Sequence, residues 1–253
     1  MKIIISPAKK MEECDDLFEA EGAPEYLEQT SMLLDRLRSM SEEELGRLFK
    51  ANERITHENF LRFSSMNPER ARTPALLSYV GIQYQYMAPK LFSYSQWEYA
   101  KEHLRILSGF YGILKPETPV TPYRLEMQAR LSVNGTKNLY DFWGPRLYDS
   151  IRREEPEQGM IVNLASEEYS RAVRPYLEPE MRWVDCVFGS IKDGKMKVKA
   201  TEAKMARGEM VRFMAEREVS DTEELKKFSG LGFSYDRERS SGDCLVFLAG
   251  QRS

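Results

Sequence analysis

The chain has 253 residues, of which 42% are hydrophobic and 30% charged, and its formal net charge is −3. That size and apolar content support a buried core and exclude bulk disorder; no run reaches the roughly 18 apolar residues of a membrane span, and the small negative charge argues against strong nonspecific nucleic-acid binding. Cys14, Cys186 and Cys244 are isolated, and His57 and His103 are the only histidines, so a zinc or iron–sulfur site built from clustered Cys and His is not expected and no metal or cofactor is called for.

Lys2-Ile3-Ile4-Ile5 is a short aliphatic run that stops in Ser6-Pro7-Ala8-Lys9. Such a run bounded by a turn predicts a buried strand. It is too short for the apolar core of a secretory leader, so a cytoplasmic protein is expected. An acidic loop follows from Glu12 to Pro24, and residues 25–64 then read as a helical layer. Leu33, Leu34, Leu37 and Met40 share one helical face, Ser41 with Glu44 is a capping box, Leu45, Leu48 and Phe49 continue the stripe, and another helix covers Glu53 to Phe63. Residues 74–91 predict one helix turning at Gly81 into a second. Ser95 with Glu98 predicts a further helix start, with Trp97, Ala100 and Leu104 on one side.

A second strand-like run, Leu104 to Leu107, ends in Ser108-Gly109-Phe110-Tyr111-Gly112. Pro116, Pro119 and Pro122 predict an extended surface segment, because proline removes a donor and biases its predecessor away from helix. A helix is expected from Pro145 to Glu154. The third run, Ile161 to Leu164, enters Ala165-Ser166-Glu167-Glu168-Tyr169. Trp183 to Thr201 reads as a hairpin about Asp193-Gly194. A helix over 202–217 and a last strand at Leu245, Val246 and Phe247 complete the chain. We therefore expect one α/β domain over residues 1–253. It has a mixed sheet flanked by helices, a C-terminal β-hairpin and a helix-hairpin-helix-like element. Parallel neighbours would bring the ends of the first three runs to one sheet edge, where open α/β folds collect ligands.

The residues suited to chemistry stand at those ends. Lys9 can offer its ammonium to an anion or serve as a tunable amine. Arg124 and Glu126 alternate with Leu125, so an extended chain points both to one side, as a salt bridge or as a phosphate grip beside an acid or base. Ser166 can cap a helix whose first N–H groups face an anion. Lys204, Arg207 and Val211 share a helical face, with Met210, Phe213 and Met214 on the adjoining inward stripe. Gly208, which costs about 1 kcal/mol in a helix interior, marks a close approach by another backbone or by a ligand. Residues 11–50 hold 12 Asp and Glu against 4 Lys and Arg, whereas 192–217 hold 8 Lys and Arg against 4 Asp and Glu, an asymmetry that can build a basic face. Leu77 to Tyr84 partly matches the glycine hairpin of helix-hairpin-helix DNA binders, with Gln83 where a second glycine is usual. Gly109-Phe110-Tyr111-Gly112 is a rival that Pro116 and Pro119 disfavour. Walker, dinucleotide and nucleophile-elbow motifs are absent.

Taken together, Ile-Ser-Pro-Ala-Lys at 5–9, Leu-Ser-Gly-Phe-Tyr-Gly-Ile-Leu-Lys-Pro at 107–116 and Pro-Tyr-Arg-Leu-Glu-Met at 122–127 resemble the YaaA peroxide-stress family. So do Asn-Leu-Tyr-Asp-Phe-Trp-Gly at 138–144, Asn-Leu-Ala-Ser-Glu-Glu-Tyr at 163–169 and Ala-Lys-Met-Ala-Arg-Gly at 203–208. The resemblance implies a cytoplasmic bacterial protein that limits oxidative damage and is linked to lower free iron. It also implies an α/β fold with a positively charged cleft and a helix-hairpin-helix element that binds duplex or distorted DNA. On this reading Lys9, Gly81, Tyr84, Tyr123, Arg124, Ser166, Lys204, Arg207 and Arg212 contact DNA, with no membrane partner. The alternative is an enzyme acting on damaged DNA or a nucleotide-like substrate, with Lys9 as nucleophile and Glu126 or Glu168 as acid or base. Direct iron sequestration ranks third, because His and Cys are sparse.

Overall fold

In the computed structural model, which describes residues 1–14, 16–155 and 158–250, the first aliphatic run forms strand β1 (Lys2–Ile5). It lies between β2 (Leu104–Ser108) and β4 (Met160–Leu164), and both neighbours are parallel to it, with Ile5 opposite Ile106 on one side and Leu164 on the other. Ile3, Ile4 and Ile5 are all fully buried. Successive strand residues point to opposite faces, so both faces of the sheet are covered there. Outside β2 runs the antiparallel β3 (Gly112–Leu114). Beyond β4 come β5 (Arg182–Lys192) and, past it, β9 (Cys244–Ala249), both parallel to the core. β6 (Lys195–Lys197) folds back on β5, and β7 (Ser229–Gly230) and β8 (Phe233–Tyr235) finish that edge as antiparallel strands. The resulting order is β7-β8-β9-β5-β4-β1-β2-β3, with β6 beside β5.

From β1 the chain steps to β2 on one side, then crosses to β4 and continues outward on the other. The direction of winding therefore reverses between β1 and β4, and a reversal leaves a crevice at the carboxyl ends of the two strands.

The helices are α1 (Leu27–Arg38), α2 (Glu42–Phe49), α3 (Glu53–Ser65), α4 (Ala75–Ser78), α5 (Ile82–Met87), α6 (Tyr94–His103), α7 (Leu139–Trp143), α8 (Arg146–Glu154), α9 (Glu167–Ser170), α10 (Ala200–Arg217) and α11 (Thr222–Leu225). The expected capping box at Ser41 and Glu44 opens α2. That of α6 is two residues earlier than the sequence suggests: Ser93 and Gln96 exchange the capping bonds, and Ser95 only shares a hydroxyl contact with Ser93. α10 packs on β5, α5 and α6, and α6 on β1 and β2. Among the described residues no helix is long and apolar enough to cross a membrane.

The Asp193-Gly194 turn between β5 and β6 has φ of 53° and 70°, the left-handed pair that a tight hairpin demands. Gly109-Phe110-Tyr111-Gly112 is likewise a strand-to-strand turn, between β2 and β3, and not a helical hairpin. Ser108 Oγ accepts the N–H groups of Phe110 and Tyr111, and Trp143 Nε1 donates to Gly109 O at 3.0 Å. A side chain on Gly112 would meet the Trp143 ring at 2.7 Å. At the amino ends of the strands, Glu154 on α8 binds Arg105 of β2 and Lys2 of β1, the latter at 3.3 Å, and also Lys115 at 3.1 Å.

Candidate functional site

The reversal point between β1 and β4 is where the first and third motifs meet. Ser166 N donates to Ser6 Oγ at 2.8 Å, and Ser6 Oγ donates to Ser166 Oγ at 3.1 Å. Ser166 does stand at the N-cap of α9, yet its hydroxyl caps nothing in that helix. The serine thus joins two strand ends, where sequence reading expects a cap. Tyr84 on α5 donates its hydroxyl to Ser6 O at 3.0 Å, which fixes the start of α5 over the end of β1. Tyr123 shares hydrogen bonds with Tyr79 at 2.8 Å and with Ser108 at 2.6 Å, so the proline-punctuated segment is tied down where Arg124 begins. Burial pushes the phenols of Tyr79, Tyr84, Tyr123 and Tyr169 up, so they remain neutral.

Past Tyr123 the chain carries its charges inward. Lys9 Nζ lies 2.6 Å from Glu126 Oε1, and Arg124 Nη2 lies 3.7 Å from Glu126 Oε2. The segment is held from behind by Gly109, where an added Cβ would come within 2.5 Å of Leu125 O. Glu168 accepts from Gln128 N at 3.2 Å. Its carboxyl is raised, first by burial and further by Glu126, while Gln128 N and Lys9 pull the other way.

α10 closes the opposite wall. Gly208 sits so close to α5 that a Cβ would fall 2.0 Å from Gln83 O. The close approach inferred from the sequence is therefore made by a backbone. It brings Lys204, one turn earlier on α10, and Arg207, the preceding residue, to the same opening as Gln83. Gly81 is extended, with φ −177°, and admits Ala8, whose Cβ would lie 3.0 Å from one added at the glycine. The helices flanking Gly81 are α4, a single turn, and the six-residue α5. Between them Tyr79–Val80 pairs with Lys10–Met11 in a two-residue ladder.

These walls enclose a cleft of about 360 Å³. Lys9, Gly81, Tyr84, Tyr123, Arg124, Glu126, Ser166, Glu168, Lys204 and Arg207 all line it. Arg212 does not: it points along α10 to Glu216, at 2.7 Å. Tyr169 and Gln83 are lining residues that sequence reading does not assign to the site. Tyr169 gave no signal beyond its place in a motif. Gln83 stood out only as the residue replacing a glycine, although it is 6% exposed and lies beside Gly208.

Buried polar atoms in folded chains nearly always find a partner. Among the described side chains, those left without one are Gln83 Nε2, Arg124 Nε, Arg207 Nε, Asn59 Oδ1 and Glu117 Oε2. All the donors in that set line the cleft, and neither acceptor does. Burial also disfavours the cationic form of Arg207, while Cys186 and Asp185 act the other way. The cleft is thus built to receive an acceptor, preferably an anion. Among the described residues no group of three His, Cys, Asp or Glu side chains is arranged to hold a metal ion.

The raised Glu168 carboxyl makes the cleft pH-sensitive in a defined direction. Glu168 takes up its proton above the ordinary carboxylate range, and the cleft then gains positive charge. Anion affinity should therefore rise as pH falls from 7 through that range, and Glu168→Gln should flatten the response. Folding takes up the proton too, so stability is lost as pH rises through the window and Glu168→Gln should be the more stable protein at pH 7. Anion titrations and thermal melts of both proteins at several pH values check this.

A family model described as peroxide stress protein YaaA matches residues 1–239. The chain is 51% identical over 251 residues to a UPF0246 protein of Lachnoclostridium phytofermentans, covering 99% of this chain and 97% of the relative. It is 47% identical over 248 residues to a UPF0246 protein of Pediococcus pentosaceus, covering 98% of each. A UPF0246 protein of Desulfitobacterium hafniense is 46% identical over 248 residues, again with 98% of each covered.

Proposed function

Because the chain belongs to the peroxide stress protein YaaA family, we propose that it serves the peroxide stress response by binding duplex or distorted DNA through this cleft, and so helps to limit iron-driven oxidative damage. The observation that carries the reading is the pair of unpartnered buried guanidinium donors at Arg124 and Arg207. A phosphate oxygen satisfies such donors, and an arginine fork is well matched to phosphate. Lys204 and Lys9 add charge at the same opening. Against these cations stand Glu126, which pairs with Lys9 and lies 3.7 Å from Arg124 and so offsets part of their charge, and Glu168, which burial drives toward its neutral form. An acidic protein can in this way present a local basic site.

The reading also connects DNA binding with iron. Lysine and arginine that neutralise phosphates expel the cations condensed on them. Iron(II) held on the backbone is one of those cations, and its release moves peroxide chemistry away from the DNA.

Fluorescence anisotropy of a labelled duplex across salt concentrations tests the proposal. If Lys9, Arg124, Lys204 and Arg207 each neutralise a phosphate, the affinity should drop by about 10²-fold between about 50 and 200 mM salt. A flat salt response refutes the cleft as the DNA site.

A further inference from the structure

A duplex lying across the cleft can bring phosphates to the exposed Lys9 and Lys204, but it cannot enter as far as the buried Gln83. The cleft has a volume of about 360 Å³. That volume lies in the range of small-molecule pockets, about 300–1,000 Å³. Gln83, whose amide nitrogen is one of the unsatisfied donors, is 6% exposed, so a phosphate on an intact helix surface has no path to it. Whatever satisfies Gln83 must be slim enough to enter and must carry an acceptor at its leading end.

The walls supply the rest of the description. Ile82, 37% exposed, gives the lining an accessible apolar surface, whereas Tyr84, Tyr123 and Leu125 are almost fully buried. Arg124, Arg207 and Lys204 supply cations around them. An apolar side chain, a neutral amide donor and a set of cations in one small pocket match a base and its own phosphate. An amide N–H reads the carbonyl or ring-nitrogen edge of a base.

We infer that the cleft takes a single nucleotide lifted out of the helix, its phosphate held by Arg124, Arg207 and Lys204 and an acceptor on its base held by Gln83. The inference rests on the DNA-binding reading above and narrows it. Lifting a nucleotide out of a matched duplex costs unstacking and unpairing energy, and the cost is least where pairing is already lost. Distorted DNA is therefore the preferred form, and the preference arises at the base and not only from bending.

The test compares three labelled DNAs by anisotropy at fixed salt. They are a matched duplex, the same duplex with a one-nucleotide bulge, and one whose bulged nucleotide lacks its base. The base-bearing bulge should bind about 10²-fold tighter than the matched duplex. The baseless bulge keeps the bend and the phosphate, and it should bind about tenfold weaker than the base-bearing one. Gln83→Leu, of similar shape, should make the two bulges bind alike, with its fold checked by thermal melting. Should that variant fail to fold, the comparison of the two bulges in the parent protein still decides the question. Equal binding of base-bearing and baseless bulges by the parent overturns the inference and leaves DNA binding intact. No binding to any of the three removes the DNA-binding reading as well.

Discussion

Gly208→Ala should lower the stability of the chain by about 3 kcal/mol, although the same change in an exposed helix interior adds about 1 kcal/mol. The sign reverses because of what the methyl group meets. It would lie 2.0 Å from Gln83 O and 3.0 Å from both Gln83 C and Met87 N. Those are backbone atoms, so no side chain can swing aside. α5 and α10 have to separate instead, against the apolar packing of Met87, Met210, Val211 and Met214, all buried. Since Gln83 lies on one side of this contact and Lys204 and Arg207 on the other, the separation also opens the cleft. Thermal melting should drop by about 6–12 °C for a chain of this size, and DNA affinity should decline in whatever protein stays folded. A melting point equal to or above that of the parent would show that α5 and α10 are not in backbone contact.

The second large effect lies at the other end of the strands. Glu154→Ala should cost about 3 kcal/mol, because it strips a carboxylate from buried cations. Arg105 is 3% exposed and Lys2 is 7% exposed. Arg105 binds Glu154 through Nε at 3.0 Å and through Nη2, while Nη1 donates to the carbonyls of Lys101 and Leu104. Lys2 keeps Glu102 O at 2.7 Å and Glu155 at 3.7 Å, which holds the loss to the lower end of what such pairs show. Burial alone would raise the Glu154 carboxyl, but Arg105 outweighs it and, with Lys115, holds the carboxyl below its ordinary value. With the folded value below the unfolded one, this stabilisation is complete above the unfolded carboxylate range. It is lost as pH falls through the depressed folded value. Denaturant unfolding at several pH values should therefore show a steeper acid loss in the parent than in Glu154→Gln. DNA affinity per folded molecule should be unchanged in both variants, because the cluster is remote from the cleft.

The parts of the fold that were legible in the sequence are those whose signal is local. β1 through Ile3-Ile4-Ile5, the Asp193-Gly194 hairpin, the capping box of α2 and the basic helix α10 each follow from a short pattern. So does the convergence of the first and third motifs, once parallel neighbours are assumed. The misplacements have a common physical origin. Ser95 and Glu98 satisfy the capping pattern as well as Ser93 and Gln96 do, and only the geometry at the helix start chooses between them. Residues 74–91 do form a helix on either side of Gly81, but Tyr79–Val80 pairs with Lys10–Met11 as a short strand and leaves both helices short. The hydroxyl of Ser166 turns to a serine 160 residues away, a partner no local reading can find. Arg212 shares the basic helix with Lys204 and Arg207, yet Glu216, one turn later, takes its guanidinium. Gln83 was hidden for the opposite reason: its importance is an unmet hydrogen bond, and sequence carries no mark of what a side chain lacks.

If the cleft, and not basic charge in general, holds DNA, duplex affinity should separate the double variant Arg124→Ala/Lys204→Ala from Arg212→Ala. The double variant should bind about 10²-fold more weakly near physiological salt and show a shallower salt dependence, with Arg212→Ala close to the parent. Equal losses in the two proteins, or none in the double variant, would show that DNA binds elsewhere.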